Sequence, residues 1–322
     1  KCGDSLIGVL QRDLERVGPS AKTFAAQFKA YWETQANKHV MPLREEIQRC
    51  ATESGDYAQL MTLLAQAVQA VQDVAGINRA LLAPLFQKKK AKGAQELVLK
   101  EAAAQLKLFL RGQHNPGFFY QDEKTHQDDI CFTPFHWELE FPEVFGRDNP
   151  GFDVIVGNPP FVGGQKITSA LGTAYRDYLV ERIAHGKKGS ADLCAYFFLR
   201  AGQLLRDGGM MALLATNTIA QGDTREVGLD QLTANGFSIP RAVPSVPWPG
   251  EASLEVAQVW LHRGTWPGDF VLNDQTVAGI TPFLTVPGAI AGNPFRLAAN
   301  ADKSFIGSYV LGMGFVLTPE EA

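Results

Sequence analysis

The chain reads as an α/β protein in which a sheet with a ligand-bearing edge is interrupted by a long helical insertion. Three observations predict this. Residues 152–156, Phe-Asp-Val-Ile-Val, form a short apolar run that stops at Gly157 and reads as a buried strand. A second apolar strand, 210–215, follows a helix that Asp207-Gly208-Gly209 brings to an end. From just after residue 8 to about 112, by contrast, Ala, Gln, Leu, Lys and Glu dominate and β-branched clusters are almost absent, which predicts several antiparallel helices.

Along the chain, residues 1–8 read as the end of a strand and its turn. Segments 57–74 and 95–110 carry apolar residues at three- and four-residue spacing, the pattern of amphipathic helices, with Pro42 and Pro84 near helix boundaries or kinks. From 113 to 150 the pattern is irregular and aromatic, and His114-Asn115-Pro116-Gly117 marks a turn. Helices are predicted at 170–183, 192–205 and 224–235. Residues 237–243 and 255–262 read as antiparallel strands around the Pro-rich loop 244–250, and the remainder is irregular or β. No internal repeat is visible.

Composition narrows the function classes. The 322 residues, 45% apolar and 20% charged, suit a soluble globular protein with one large or two modest domains. A net charge of −4 lends no support to nucleic-acid binding through overall charge, so any DNA-binding face must be a local basic patch. Cys2, Cys50, Cys131 and Cys194 are widely spaced and form no CxxC pair, which speaks against a zinc site or a disulfide framework. No apolar run is long enough to span a bilayer and no signal peptide is evident, so the cytoplasm is the expected location. The chain opens on Lys1-Cys2-Gly3 without an initiator Met and reads as a segment of a longer protein.

The tetrapeptide Asn158-Pro159-Pro160-Phe161 is the strongest chemical signal. It follows the strand at 152–156, at the carboxyl edge where open α/β sheets place their ligands. Each proline fixes φ and lacks an N–H, so the loop is stiff and its carbonyls are not matched by local donors. The Asn158 side-chain oxygen and the Pro159 carbonyl can both accept from one amino group, with Phe161 as a flat face beside them. A planar substrate bearing an NH₂ group, a nucleobase above all, fits such a site. A tight strand-to-helix turn without chemistry is the plain alternative, and Asn-Pro-Pro-aromatic is a poor generic choice for one.

Asp153-Val-Ile-Val-Gly-Asn-Pro-Pro-Phe161 resembles the catalytic motif of S-adenosylmethionine-dependent amino-methyltransferases, above all the adenine-N6 DNA enzymes. The upstream run 135–145, Phe-His-Trp-Glu-Leu-Glu-Phe-Pro-Glu-Val-Phe, resembles a segment preceding that motif in large restriction-modification methyltransferases. These include the type IIG enzymes, which fuse methylation, sequence recognition and cleavage. The resemblance is strongest over 131–220, is visible at the first eight residues, and does not cover about 20–125. It implies a Rossmann-like S-adenosylmethionine-dependent methyltransferase fold, partial because its first strands are missing, with a helical insertion. It also implies double-stranded DNA as partner and S-adenosyl-L-methionine as cofactor. In that reading the base is flipped from the duplex, Asn158 and Pro159 accept from its exocyclic amine, Pro160 stiffens the loop and Phe161 stacks on the ring. Catalysis then rests on positioning and polar preorganisation, with no covalent intermediate.

Further residues take their roles from the same resemblance. Asp4, in Gly-Asp-Ser-Leu-Ile-Gly at 3–8, matches the acidic residue that accepts from the cofactor's adenine amine, although Gly-Asp-Ser is also a common turn. Asp192-Leu193 opens a helix that borders the cofactor in the family; on its own residues, Asp192 or Ser190 reads as an N-terminal cap and Phe197 and Phe198 as core. Residues 204–217 match the family's following helix end and strand, with no role assigned to Thr216 or Asn217. Lys88-Lys89-Lys90-Ala91-Lys92 reads as a solvated face, whereas Lys187 and Lys188 lie where they can reach phosphates. Trp248-Pro249-Gly250 falls in order where the family places a second wall of the base pocket, and is left unassigned. Residues 304–315 resemble the entry to a target-recognition region.

The donor site's glycine-rich turn and the acidic residue for the ribose do not appear ahead of Asp4. An upstream segment of the parent chain, or a partner, is therefore expected to complete the cofactor site, and this chain alone is expected to be inactive. The expected organisation is 1–19 as the end of the cofactor-binding half, 20–125 as the helical insertion, 126–290 as the catalytic region and 291–322 as the start of target recognition. The expected function is site-specific adenine-N6 DNA methylation in a restriction-modification or phage-defence enzyme. Methylation of cytosine N4, an RNA base or a protein glutamine is the alternative within the class. An inactive DNA-binding scaffold is the alternative outside it.

Overall fold

The computed structural model describes residues 4–8, 10, 30, 33–34, 36–70, 82, 104, 134–249 and 254–288. The chain divides into two compact units, Lys1–Pro287 and Gly288–Ala322, and every described residue except Gly288 belongs to the first. The predicted elements at 114–117 and 304–315, the 95–110 element apart from Ala104, Pro84 and the 88–92 lysine run lie outside the described residues.

In chain order the helices are α1 (Met41–Arg49), α2 (Tyr57–Ala70), α3 (Trp137–Glu140), α4 (Pro142–Phe145), α5 (Gly164–Leu171), α6 (Thr173–Tyr178), α7 (Leu193–Leu204), α8 (Gly222–Val227) and α9 (Leu229–Ala234). The strands are β1 (Phe152–Gly157), β2 (Leu205–Thr216), β3 (Phe237–Pro247), β4 (Glu255–Arg263), β5 (Phe270–Leu272) and β6 (Gln275–Val277). They form one mixed sheet in the order β1-β2-β4-β3-β5-β6. β1 and β2 run parallel, and β4 is inserted antiparallel between β2 and β3, so β1, β2 and β3 all point the same way. With helices linking these parallel strands, the architecture is the Rossmann-like α/β fold. The β1–β2 ladder pairs Gly157 with Leu213, which brings the carboxyl ends of the two strands to one edge.

Glycine and proline explain most departures from the predicted boundaries. The helix expected over 170–183 breaks at Gly172, whose φ of +87° disrupts regular helix, and continues as α6 and a wide π-helical turn, Leu179–Ile183. The helix expected over 224–235 is two short helices meeting at Gly228. Asp207-Gly208-Gly209 does not end a helix. It lies inside β2, where the pairing steps from Phe152↔Leu205 to Val154↔Met210 as a bulge. β3 runs through Pro240 and Pro244, and its ladder to β4 shifts at both places, because proline offers no N–H to the pairing. Asn273 and Asp274, both at positive φ, make the tight turn joining β5 to β6.

The two faces of the sheet differ. Met211, Leu213 and Ala215 of β2 and Ala257, Val259 and Leu261 of β4 are buried in the main core with Cys194, Ala195 and Phe198 of α7. On the opposite face Met210, Ala212 and Trp260 are half-exposed, while Val154 and Val156 of β1 are 61% and 75% exposed. The expectation of a fully buried β1 is thus corrected. Ile155 packs on the core, but the alternate side chains point to an uncovered face at the edge of the sheet among the described residues.

The aromatic run before β1 folds into α3 and α4 and packs as a cluster around Phe152. Phe141 and Phe145 meet that ring at 5.3 and 5.5 Å between centroids, and Trp137 at 5.8 Å. The Trp137 indole N–H donates to the Ser5 carbonyl at 3.0 Å, joining this run to the turn at residues 4–8. From the helical segment, Arg44 of α1 donates to the Glu140 carbonyl and stands 3.9 Å from Glu143.

Candidate active site

β1 delivers Asn158, Pro159, Pro160 and Phe161 at the carboxyl edge of the sheet. Asn158 and Pro160 are exposed, Pro159 is buried, and Phe161 is half-buried. The chain then turns into α5, which starts at Gly164. On the far side of the loop stands Trp248, at the carboxyl end of β3, with its ring 6.3 Å from that of Phe161 and edge-on at 89°. The Trp248 N–H donates to the Leu254 carbonyl at 2.8 Å, which closes the connection between β3 and β4 beside the loop. Two aromatic rings therefore meet at the edge of the sheet from which Asn158 and Pro159 emerge. Trp248 matches no motif, and its sequence signal is its place in chain order, where the resembling family has a second wall of the base pocket.

Asp192 sits at the centre of the contacts that hold this loop. It occupies the cap position of α7, but its side chain makes no capping bond. Instead Oδ1 accepts from the Gly164 N–H at 3.0 Å, and Oδ2 accepts from the hydroxyls of Thr216 and Thr218 at 3.1 and 2.6 Å. Around it, the Leu193 N–H donates to the Val162 carbonyl at 2.8 Å and the Asp192 N–H to the Thr224 hydroxyl at 3.1 Å. Thr216, given no role from sequence, is thereby part of the loop's support. Cys194 lies below, and burial pushes its thiol up to about 11.

Asp4 is also held in place. Its Oδ1 accepts from the N–H groups of Leu6 and Ile7 at 3.0 and 3.3 Å, and its Oδ2 accepts from the Tyr175 hydroxyl at 2.9 Å. Burial, reinforced by the neighbouring Asp4 carboxylate, raises the Tyr175 phenol above the ordinary tyrosine range. The same turn is braced by Tyr178, whose hydroxyl donates to the Gly8 carbonyl at 2.9 Å and accepts from the Gly8 N–H at 3.2 Å. Arg200, only 3% exposed on α7, donates to the Leu6 carbonyl at 2.7 Å and to Gln203 at 3.0 Å. Its Nη1 and Nη2 meet carbonyl, amide and phenol oxygens, which offsets the burial of the charge, while Nε has no partner among the described residues.

Of the basic residues near the loop, Lys187 is paired with Glu226 at 3.1 Å, and Lys188 is exposed. Among the described residues no cluster of His, Cys, Asp or Glu is arranged to hold a metal.

Comparisons with solved structures return distant likenesses. The DNA complex of MmeI, a Type IIL restriction-modification enzyme, matches at 15% identity over 80% of this chain with a TM-score of 0.38, and this chain spans 40% of its length. A Listeria monocytogenes protein assigned to the class I S-adenosylmethionine-dependent methyltransferases matches at 14% identity, over 64% of this chain and 68% of its own, with a TM-score of 0.28. A modification subunit ascribed to a type I restriction enzyme of Vibrio vulnificus matches at 14% identity, over 56% of this chain and 36% of its own, with a TM-score of 0.28. No curated protein matches. The family match begins at residue 63, so it reaches into the helical stretch that the sequence resemblance had left uncovered. Because the model of the Eco57I restriction-modification methylase fits residues 63–237, more than half of the chain, this chain belongs to that family.

Proposed function

We propose that the chain carries the amine-holding part of a site-specific, S-adenosyl-L-methionine-dependent DNA methyltransferase acting on adenine N6 in the cytoplasm, within a restriction-modification or phage-defence enzyme. The observation that carries this reading is the stiff Asn158–Phe161 loop at the carboxyl end of β1, with Trp248 edge-on to Phe161 at 6.3 Å. Family membership supports methylation as the chemistry and restriction-modification as its setting. Asn rather than Ser at 158 favours adenine over cytosine N4.

The Asn158 side-chain oxygen and the Pro159 carbonyl accept the two N–H bonds of the exocyclic amine. That turns the nitrogen lone pair out of conjugation with the ring. Phe161 stacks on the flipped base, with Trp248 edge-on to Phe161 as the adjoining wall, so stacking lost in the duplex is recovered in the pocket. Placement of the amine supplies the rate enhancement, as expected for a transfer that needs no enzyme nucleophile. When bound, S-adenosyl-L-methionine supplies an electrophilic methyl group.

The residues present fit that cofactor at Asp4. A carboxylate has about four acceptor positions. Two backbone N–H groups and one phenol engage Asp4, which leaves capacity for an adenine amine. The rest of the cofactor site is assigned to a segment or partner outside the described residues. Among the described residues β1 is the edge strand, and its exposed Val154 and Val156 support this, since such a strand has room for a further neighbour. The isolated chain is accordingly expected to transfer no methyl group.

The test is methyl transfer from labelled S-adenosyl-L-methionine to mixed-sequence duplex DNA by the full-length protein and its Asn158→Ala variant. N6-methyladenine that disappears in the variant is the expected result. Label in N4-methylcytosine, RNA or protein would move the reading to those acceptors. No transfer anywhere would favour an inactive scaffold.

A further inference from the structure

We propose that Asp192 is a positioning residue for the amine-holding loop, tying the loop's exit to the carboxyl end of β2; the proposal rests on the reading of Asn158–Phe161 as the amine site. The loop is fixed at its entrance by the sheet itself, because Gly157 is still paired with Leu213 of β2. Its exit has no such ladder, since residues 158–163 belong to no strand. Asp192 takes the place of the missing ladder. One carboxylate oxygen holds the Gly164 N–H, and the other holds the hydroxyls of Thr216, the last residue of β2, and Thr218 just beyond it. Both ends of the loop are thereby referred to one strand.

The surrounding backbone makes the tether rigid. Ser190 N–H donates to the Asp223 carboxylate at 2.6 Å and the Asp192 N–H to the Thr224 hydroxyl, so the segment carrying Asp192 is clamped to α8. On its other side the Val162 carbonyl accepts from the Leu193 N–H, and Gly164 lies directly against the backbone of Ser190 and Ala191. Bonds to an ionised acceptor are the stronger kind, and here a single carboxylate accepts three of them. Asp192 touches neither Asn158 nor Phe161 in any bond named above. Its effect on chemistry runs through where the loop sits.

The consequence is a particular pattern of damage. Removing the carboxylate in Asp192→Ala frees the loop exit without deleting any base-contacting atom, so the loop can shift. A displacement of about 1 Å at a reacting centre costs roughly a hundredfold in rate. In the full-length protein, kcat is therefore expected to fall roughly a hundredfold, with KM for DNA and for S-adenosyl-L-methionine changed by less than about threefold. Hydrogen exchange of peptides spanning 157–166 is expected to accelerate roughly tenfold or more, with peptides of β3 and β4 unchanged. Asp192→Asn keeps one oxygen for Gly164 and offers an amide to hydroxyls that can turn to accept, so it should restore kcat to within about fivefold of the native value.

Unchanged exchange and unchanged kcat in Asp192→Ala would overturn the inference and leave the function standing. Loss of kcat in Asp192→Asn equal to that in Asp192→Ala, with the loop still protected, would assign the effect to charge and also overturn it. If the native protein methylates no DNA while Asp192→Ala still loses protection at 157–166, the tether stands and the assigned reaction falls.

Discussion

Gly164 is where the candidate site is least able to absorb a change, and Gly164→Ala tests that directly. An ideal Cβ at this position would lie 2.1 Å from the Ser190 carbonyl oxygen, 2.3 Å from its carbon and 2.6 Å from the Ala191 carbonyl oxygen. Ordinary contacts between such heavy atoms are about 3.5 Å, so the two segments must part by roughly 1 Å or more. The obstructing atoms are backbone, and no rotamer change relieves them. Forced overpacking costs about 1–3 kcal/mol, and the same movement weakens the Gly164–Asp192 hydrogen bond, worth about 1.5–3 kcal/mol for an ionised acceptor. A loss of about 3 kcal/mol or more is expected, which for a domain of this size lowers Tm by roughly 6–12 °C. Gly163→Ala is the matched control. Its backbone is extended at φ −62°, ψ 143°, and a Cβ there would meet only the Asp192 carboxylate, at 3.7 Å. That substitution should be neutral or slightly stabilising, by up to about 1 kcal/mol. Thermal unfolding of both variants by circular dichroism decides the matter. Equal Tm values for the neighbouring alanines would refute the close approach of the loop exit to Ser190–Ala191.

Two further predictions concern the pocket wall and the Asp4 turn. Trp248→Ala should weaken capture of a flipped base by the full-length protein by about 1–3 kcal/mol, roughly fivefold to a hundredfold in affinity. The readout is the fluorescence of 2-aminopurine at the target position; Trp248→Phe should keep most of the signal, and an alanine variant equal to the native protein would remove Trp248 from the pocket. Tyr178→Phe takes away the hydroxyl bonded to both the N–H and the carbonyl of buried Gly8 and should cost about 1–3 kcal/mol. It would appear as a lower urea midpoint at unchanged slope, and an unmoved midpoint would contradict the bracing role.

What the sequence revealed and what it hid divide along a physical line. The strand at 152–157 and its Asn-Pro-Pro-Phe turn were legible because their information is local: an apolar run, a glycine, and two residues with fixed φ. The antiparallel pairing of β3 with β4 was legible for the same reason, as two apolar runs flank a proline-rich connection. The breaks at Gly172 and Gly228 escaped because a glycine within a helical pattern is compatible with a continuous helix, and only packing decides. The bulge at Asp207–Gly209 looked like a helix stop because Gly serves both purposes. Lys187, a candidate for phosphate contact, also pairs with Glu226, which depends on α8 lying alongside, a relation between residues far apart in the chain. Asp192 was read as a cap, which is what an aspartate before a helix usually is. Its bonds run to Gly164 and Thr216, and nothing in the residues around 192 announces either.

The uneven covering of the sheet bears on how the loop works. Val154 and Val156 project from the strand that ends in Asn158, on the face opposite the main core. Fully covering both would contribute about 2–3 kcal/mol, enough to fix a packed neighbour. Under the proposed function, that neighbour belongs to the part that completes the cofactor site. β1 would then be the one element in contact with both halves: its exposed face packs on the donor side, and its carboxyl end holds the acceptor amine. A strand clamped from one side only is held less firmly than one packed on both, and the loop it carries inherits that freedom. Completion of the sheet would therefore do more than supply a binding site for the methyl donor. It would steady the entrance of the loop as Asp192 steadies its exit, and the amine would be held to the tolerance that methyl transfer requires only when both ends are fixed.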